Sequence, residues 1–262
     1  MIAMEGGRPV KRERSSDVSR VALVTGAAWG IGAAVAAALH RQGYRIALHY
    51  WDHEPEAHQM LTKLDPTEES VRLFRANFEE SDAGPRLIAA VQHRFGRVDI
   101  LVNNAASGVT MRQPFSEIDP SQMESVLRVN VTTPFVLSQH VAPLMSERGW
   151  GRIINMASVN WRVAYVQNAA YIMSKAALVG LTRALARELG PAGVTVNAIA
   201  PGDIRTEAAG QVIDRDAPAL PFQSIPRPGR SDDVVSAVRY LIDDQAGFIT
   251  GQVLVVDGGW VF

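Results

Sequence analysis

Val21-Ala22-Leu23-Val24-Thr25-Gly26-Ala27-Ala28-Trp29-Gly30-Ile31-Gly32 is the stretch that decides the architecture. It reads as a short aliphatic strand, a glycine-rich turn and the first turn of a helix, whose apolar face continues through Ile31, Val35, Ala38 and Leu39. Glycine lets backbone turn sharply and approach a ligand closely. A helix N-terminus offers unpaired amides and partial positive charge to a phosphate. This order is what a dinucleotide's pyrophosphate requires, so Gly26, Ala28, Trp29, Gly30, Ile31 and Gly32 are candidate cofactor contacts.

The pattern repeats outward from that stretch. Further strand-like runs occur at Arg45–Tyr50, Val71–Arg75, Asp99–Val102, Arg152–Met156, Val194–Ile199 and Val253–Val256. Helix-like segments lie near 31–42, 54–64, 82–95, 120–147, 169–189 and 231–242. Seven strands alternating with six helices predict an α/β fold: a doubly wound Rossmann fold, with a seven-stranded parallel sheet covered by helices on both faces. Residues 20–262 are expected to form one unit. Residues 1–19, with the basic run Lys11–Arg14 and little apolar periodicity, are expected to be a solvated arm. The proline-rich stretch 203–230 reads as a lid.

Composition removes several function classes. With no cysteine in 262 residues, disulfides, thiolate metal sites and cysteine nucleophiles are excluded. A net charge of −1 gives no reason to expect nucleic acid or an anionic membrane as a partner. No apolar run is long enough to span a bilayer, and residues 1–19 lack the apolar core of a secretory signal, so a cytoplasmic location is expected. His49 and His53 have no carboxylate cluster to complete a metal site, and no metal is expected. A Gly-x-Ser-x-Gly elbow is also missing.

Tyr171 and Lys175 stand four apart on a predicted helix, so both project from one face. A free phenol titrates near 10, and a neighbouring ammonium is expected to lower it, making Tyr171 a proton donor and acceptor. Ser158 falls just past the fifth strand, at the carboxyl edge of the sheet where open α/β sheets bind ligands. Tyr165 has no lysine four residues later and is at most a pocket-lining residue.

Taken together, the Thr-Gly-x-x-x-Gly-Ile-Gly turn, Asn103-Asn104-Ala105-Ala106, Ser158 thirteen residues before Tyr171-Ile172-Met173-Ser174-Lys175, Pro201-Gly202, and the closing Ile249–Gln252 and Asp257–Gly259 resemble the short-chain dehydrogenase/reductase family, in its compact single-domain branch. The resemblance covers roughly residues 20–260 and is nearest the ketoacyl-reductase-like and pteridine-reductase-like members. It implies hydride transfer between a nicotinamide and a carbonyl or secondary alcohol, with Asn130, Ser158, Tyr171 and Lys175 as the catalytic set. Asn130 is then expected to distort its helix and anchor a relay water, and Lys175 to hold the nicotinamide ribose. Asn103 is expected to tie the central strands near the adenine, and Asn77 to accept from the adenine amine. Tyr50, Trp51, Phe78, Asn104, Ala105, Ala106, Tyr171, Pro201, Gly202, Ile204 and Thr206 join the implied cofactor contacts. Substrate contacts are expected from Ser158, Trp161, Tyr165 and Tyr171, with Ser107, Val163, Ala164 and Arg205 as further loop candidates, and Arg162 or Arg205 available to an acidic substrate. The resemblance also implies a homotetramer, or a dimer.

At the end of the second strand, Tyr50 stands where a carboxylate would bind the ribose 2′-hydroxyl and repel a 2′-phosphate. Trp51 follows, and no arginine flanks the turn. The missing aspartate favours NADP(H) over NAD(H). Two rival readings stand beside the reductase: a non-catalytic NAD(P)-sensing protein, and a reductase of C=N bonds in pterin-like rings.

Overall fold

A computed structural model describes residues 19–109, 113–164, 167–206 and 223–261. Nearly all of the expected N-terminal arm, Tyr165, and positions 207–222 of the expected lid lie outside the described residues.

The chain runs β1 (Val21–Val24), α1 (Gly30–Arg41), β2 (Arg45–Tyr50), α2 (Glu54–Leu64), β3 (Val71–Arg75), α3 (Ala83–Phe95) and β4 (Ile100–Asn103). There follow α4 (Pro120–Leu127), α5 (Thr133–Glu147), β5 (Gly151–Met156), α6 (Asn160–Val163) and α7 (Ala169–Leu189). The final part is β6 (Val194–Pro201), β7 (Ile204–Arg205), β8 (Gly229–Arg230), α8 (Ser231–Ile242) and β9 (Val253–Val256). Seven strands form one parallel sheet in the order β3-β2-β1-β4-β5-β6-β9. The order reverses between β1 and β4, the switch point outside which such sheets bind ligands.

Each strand is aliphatic because both faces are covered. Val35, Leu39, Val234, Val238 and Leu241 of α1 and α8 pack on Ala22, Val24, Ile100 and Ile154. On the opposite face, Leu87 and Val91 of α3 and Leu137, Val141 and Met145 of α5 pack on Val21, Leu23, Leu101 and Ile153. Buried Asp99 closes the lower edge: its carboxylate accepts from the Val21 amide at 2.8 Å and from both arms of Arg97 at 2.7 Å.

Three expectations are corrected. The fourth strand is Ile100–Asn103, one residue later than expected, because Asp99 caps the strand edge. The long segment 120–147 is two helices, not one, separated at Arg128–Thr132 by a π turn; this is the helix distortion expected at Asn130, which it turns inward. Residues 203–230 are not wholly irregular either. Ile204–Arg205 pairs in parallel with Gly229–Arg230, and Arg227 grips Asp233 with two hydrogen bonds of 2.7 Å.

Candidate active site

A cleft of about 680 Å³ opens above the β1/β4 switch point. One end is the glycine turn. Thr25 Oγ1 donates to Val102 O at 3.2 Å and accepts from the Asn104 and Ala105 amides at 2.9 and 3.0 Å, joining β1 to the end of β4. Asn104 Nδ2 donates to both Thr25 O and Gly26 O at 2.9 Å. Asn103 points elsewhere, donating to Asn155 Oδ1 at 2.8 Å in the sheet centre. The tie to the turn therefore belongs to Asn104, because successive residues at a strand end face opposite ways.

The turn fits a dinucleotide. Gly26 and Gly30 have φ of +60° and +62°. A Cβ at Gly26 would lie 2.9 Å from Ala105 Cα, and one at Gly32 would strike Gly26 O and stand 2.5 Å from Asn104 Nδ2. α1 starts with no side-chain cap and no acidic residue in its first turn, leaving its positive end for an anion. Gly26, Ala28, Trp29, Gly30, Ile31, Asn104, Ala105 and Ala106 line the cleft, whereas Gly32 supports it from behind. Pro201, Gly202, Ile204 and Thr206 form the opposite wall, with Thr206 packed near Gly30.

Four segments build the wall beyond the turn, where the resemblance implies an adenosine. Tyr50, Trp51, Asn77 and Phe78 line it as expected. The Tyr50 ring is buried, its hydroxyl donates to Glu54 Oε1 at 3.4 Å, and burial followed by the Glu54 charge raises its pKa. Asn77 Oδ1 already accepts from the Glu79 amide at 3.1 Å. Three further features shape this wall. Asp52 and His53 join the wall, paired at 2.6 Å. Arg75, opposite Tyr50 in the β2/β3 register, stacks its guanidinium 4.8 Å from the Trp51 ring centroid and donates to Trp51 O at 3.1 Å. His49 is fully buried beneath the turn, in a strand covered on both faces, with its ring stacked on Phe78.

At the other end Ser158, Tyr171 and Lys175 come together, with Ser107, Val109, Met156 and Ala157 beside them. Ser158 follows β5, while Tyr171 and Lys175 lie on the buried face of α7. The Lys175 ammonium is fully buried, donates to Met156 O at 2.7 Å and lies 5.4 Å from the Tyr171 ring centroid. Loss of water pulls its pKa down to about 8. The expectation of an acidified phenol is not what this geometry produces. Burial pushes the Tyr171 pKa up, and the opposing pull comes from a hydrogen bond with Ser158, not from Lys175.

Asn130 is buried but does not line the cleft. Its Nδ2 donates to Ser107 O and to Ser174 Oγ, both at 2.9 Å, and its Oδ1 accepts from the Ser107 amide at 2.7 Å. Ser174 Oγ in turn donates to Tyr171 O at 2.7 Å. The Asn130 side chain thus staples the loop after β4 to α7. Trp161 is not brought to the cleft; it packs against the buried cluster of Ala157, Val179, Ala198 and Ala200. Among the described residues no group of His, Asp and Glu is placed to hold a metal, and no helix is long and apolar enough to cross a membrane.

Fold and cleft define a class, an oxidoreductase that works on a carbonyl or alcohol with a nicotinamide dinucleotide. A family model described as enoyl-(acyl carrier protein) reductase matches residues 26–261. Nodulation protein G of Azospirillum brasilense is 37% identical over 242 residues, 92% of this chain and 97% of that one. Acetoacetyl-CoA reductase of Rhizobium meliloti is 37% identical over 247 residues, 94% of this chain and all of that one. The crystal structure of acetoin dehydrogenase from Salmonella typhimurium superposes with a TM-score of 0.84 at 34% identity, covering 92% of this chain and 96% of that one. The chain belongs to the short-chain dehydrogenase/reductase family.

Proposed function

We propose that the protein reduces the ketone of a small oxygenated substrate, a 3-oxoacyl thioester or a hydroxyketone, with NADPH. The observation that carries this reading is one cleft with an uncapped helix N-terminus at one end and Ser158, Tyr171 and Lys175 at the other. Gly26, Ala28, Gly30 and Ile31 would hold the pyrophosphate, Asn77 and Phe78 the adenine, and Lys175, Gly202 and Thr206 the nicotinamide half. When bound, the nicotinamide supplies the hydride to the carbonyl carbon. Ser158 donates a hydrogen bond to the carbonyl oxygen and holds it as charge develops there. Tyr171 transfers its phenolic proton to that oxygen, so one hydride and one proton convert C=O to CH–OH. A phenol raised above its usual range stays protonated at neutral pH, which suits a proton donor and hence reduction. Lys175 stays charged below about 8, and its ammonium would hold the nicotinamide ribose beside Tyr171, while Ser158 steadies the phenolate left behind. Asn130, through Ser174 and Ser107, keeps Tyr171 in register.

Two features support NADPH. Residue 50 carries no carboxylate to repel a 2′-phosphate, and Arg75 sets a cation beside Trp51 at that edge. The names of the relatives, acetoacetyl-CoA reductase and acetoin dehydrogenase, support the substrate class. A homotetramer working in the cytoplasm completes the proposal. The half-buried face of β9 with exposed Phe135, Tyr240 and Phe248 favours assembly, and a monomeric mass by light scattering at micromolar concentration would count against it.

The test is nucleotide oxidation with acetoacetyl-CoA and acetoin, run with NADPH and NADH in parallel. Turnover of at least one ketone, faster with NADPH, is expected. No turnover of any ketone by a protein that binds either nucleotide would leave the sensor reading in its place.

A further inference from the structure

Gly26 sits at the sharpest point of the turn, and both polar groups of its backbone are held by side chains from other strands. Its carbonyl accepts from Asn104 Nδ2 at 2.9 Å, and its amide donates to His49 Nδ1 at 3.1 Å. His49 Nε2 lies 3.0 Å from Ala76 O. The backbone amide is only a donor and the carbonyl only an acceptor, so His49 is a neutral ring with its proton on Nε2. Its own carbonyl accepts from the next amide of the turn, Ala27, at 2.8 Å. The ring stacks on Phe78, with centroids 4.2 Å apart and planes 14° from parallel.

We propose that His49 is a positioning residue for the nucleotide, a latch that sets the peptide plane of Gly26 and couples it to the adenine wall at Ala76 and Phe78. The turn must aim the amides that follow Gly26 at a pyrophosphate, and a rotated Gly26 peptide turns them away. One fully buried side chain therefore joins the three segments that meet the adenosine diphosphate: the β1–α1 turn, the end of β2 and the end of β3. The stack carries the adenine side, because Phe78 cannot move without the ring that also holds the turn. Burial supports the assignment by holding the imidazole neutral, its pKa drawn down to about 4.

This inference rests on the reading of the cleft as the nucleotide site, and three substitutions separate the two. His49→Asn keeps an acceptor where Nδ1 stands and loses the bond to Ala76. His49→Gln places its amide near Nε2 and loses the bond to Gly26. His49→Phe keeps the ring and the stack on Phe78 and loses both bonds. NADPH and NADH dissociation constants, melting temperatures and steady-state parameters are measured for each. The latch predicts that His49→Gln and His49→Phe bind the tighter nucleotide about tenfold more weakly, the scale of one lost buried hydrogen bond, while His49→Asn stays within about threefold of wild type. The nucleotide KM rises with the dissociation constant, while kcat at saturating nucleotide and the ketone KM hold. If His49→Phe does not fold, the Asn and Gln variants decide alone. Equal nucleotide affinity in the Asn and Gln variants, whatever their melting temperatures, overturns the latch. A wild-type protein that binds neither nucleotide overturns instead the reading of the cleft.

Discussion

The two ends of the cleft are built by different means. At the reacting end, Tyr171 and Lys175 share one face of α7, and Ser158 is delivered by the end of β5. Two elements carry the three side chains, and the π turn steadies them through Asn130. At the adenosine end, the turn after β1, the end of β2, the end of β3 and the start of α2 each contribute one or two residues, and His49 and Arg75 join them. On the proposed function the reacting end tolerates no exchange of chemistry, since one phenol and one ammonium would carry it. The adenosine end distributes its binding, so single changes there should tune affinity and cofactor choice and leave turnover intact.

The sharpest way to break that contrast is Tyr171→Phe. Ketone turnover should fall by about 10²–10⁴, the usual worth of a positioned acid, with nucleotide affinity unchanged. A Tyr171→Phe protein that keeps wild-type kcat would remove the catalytic assignment. Lys175→Met tests whether the same end is kept at the expense of stability. The buried ammonium is disfavoured, its pKa lowered from 10.5 to about 8, so below pH 8 the folded state carries that cost in full. Methionine of similar length should raise stability by about 1–2 kcal/mol at pH 7, after the lost bond to Met156 O, while activity collapses. A fall in melting temperature would show that Lys175 serves the fold instead.

The adenosine end has its own pH signature. His49 has a pKa of about 4 when folded, against an ordinary 6.5, so the unfolded chain binds the proton first as pH falls. Its contribution is complete above pH 6.5 and is lost between there and about 4, by at most ~3.5 kcal/mol at ~1.4 kcal/mol per pKa unit. Urea melts from pH 7 to 4 on wild type and His49→Asn should diverge across that window, and parallel curves would refute the assignment. The smallest effect is expected at the edge. Arg75→Ala should weaken NADPH by about tenfold and NADH by less than about twofold, read as a change in the ratio of their dissociation constants. An unchanged ratio would leave the 2′-phosphate to other groups.

Much of the reacting end was legible because its signals are short-range. Tyr171 and Lys175 follow from helical spacing, and the glycine turn from the strand and helix that flank it. What was not legible depended on partners far along the chain. Asn103 and Asn104 are adjacent and alike, and only the strand end decides which one reaches Gly26. Trp161 sits in the right loop, yet a single turn of helix packs it against Ala157, Val179, Ala198 and Ala200 and away from the cleft. Arg75 carries no local sign of its role, because its place beside Trp51 comes from β2 pairing with β3.

The pattern of residues alone determined the alternation of strands and helices, the turn that begins α1 and the spacing of the tyrosine and lysine, since each is set within about two helical turns. Tertiary structure alone decided that burial raises the phenol where its lysine was expected to lower it. It also decided that Asn130 grips Ser107 and Ser174, and that a histidine from β2 holds the first glycine. Solvent exclusion and pairing between remote segments exist only once the sheet has assembled, so no local spacing encodes them.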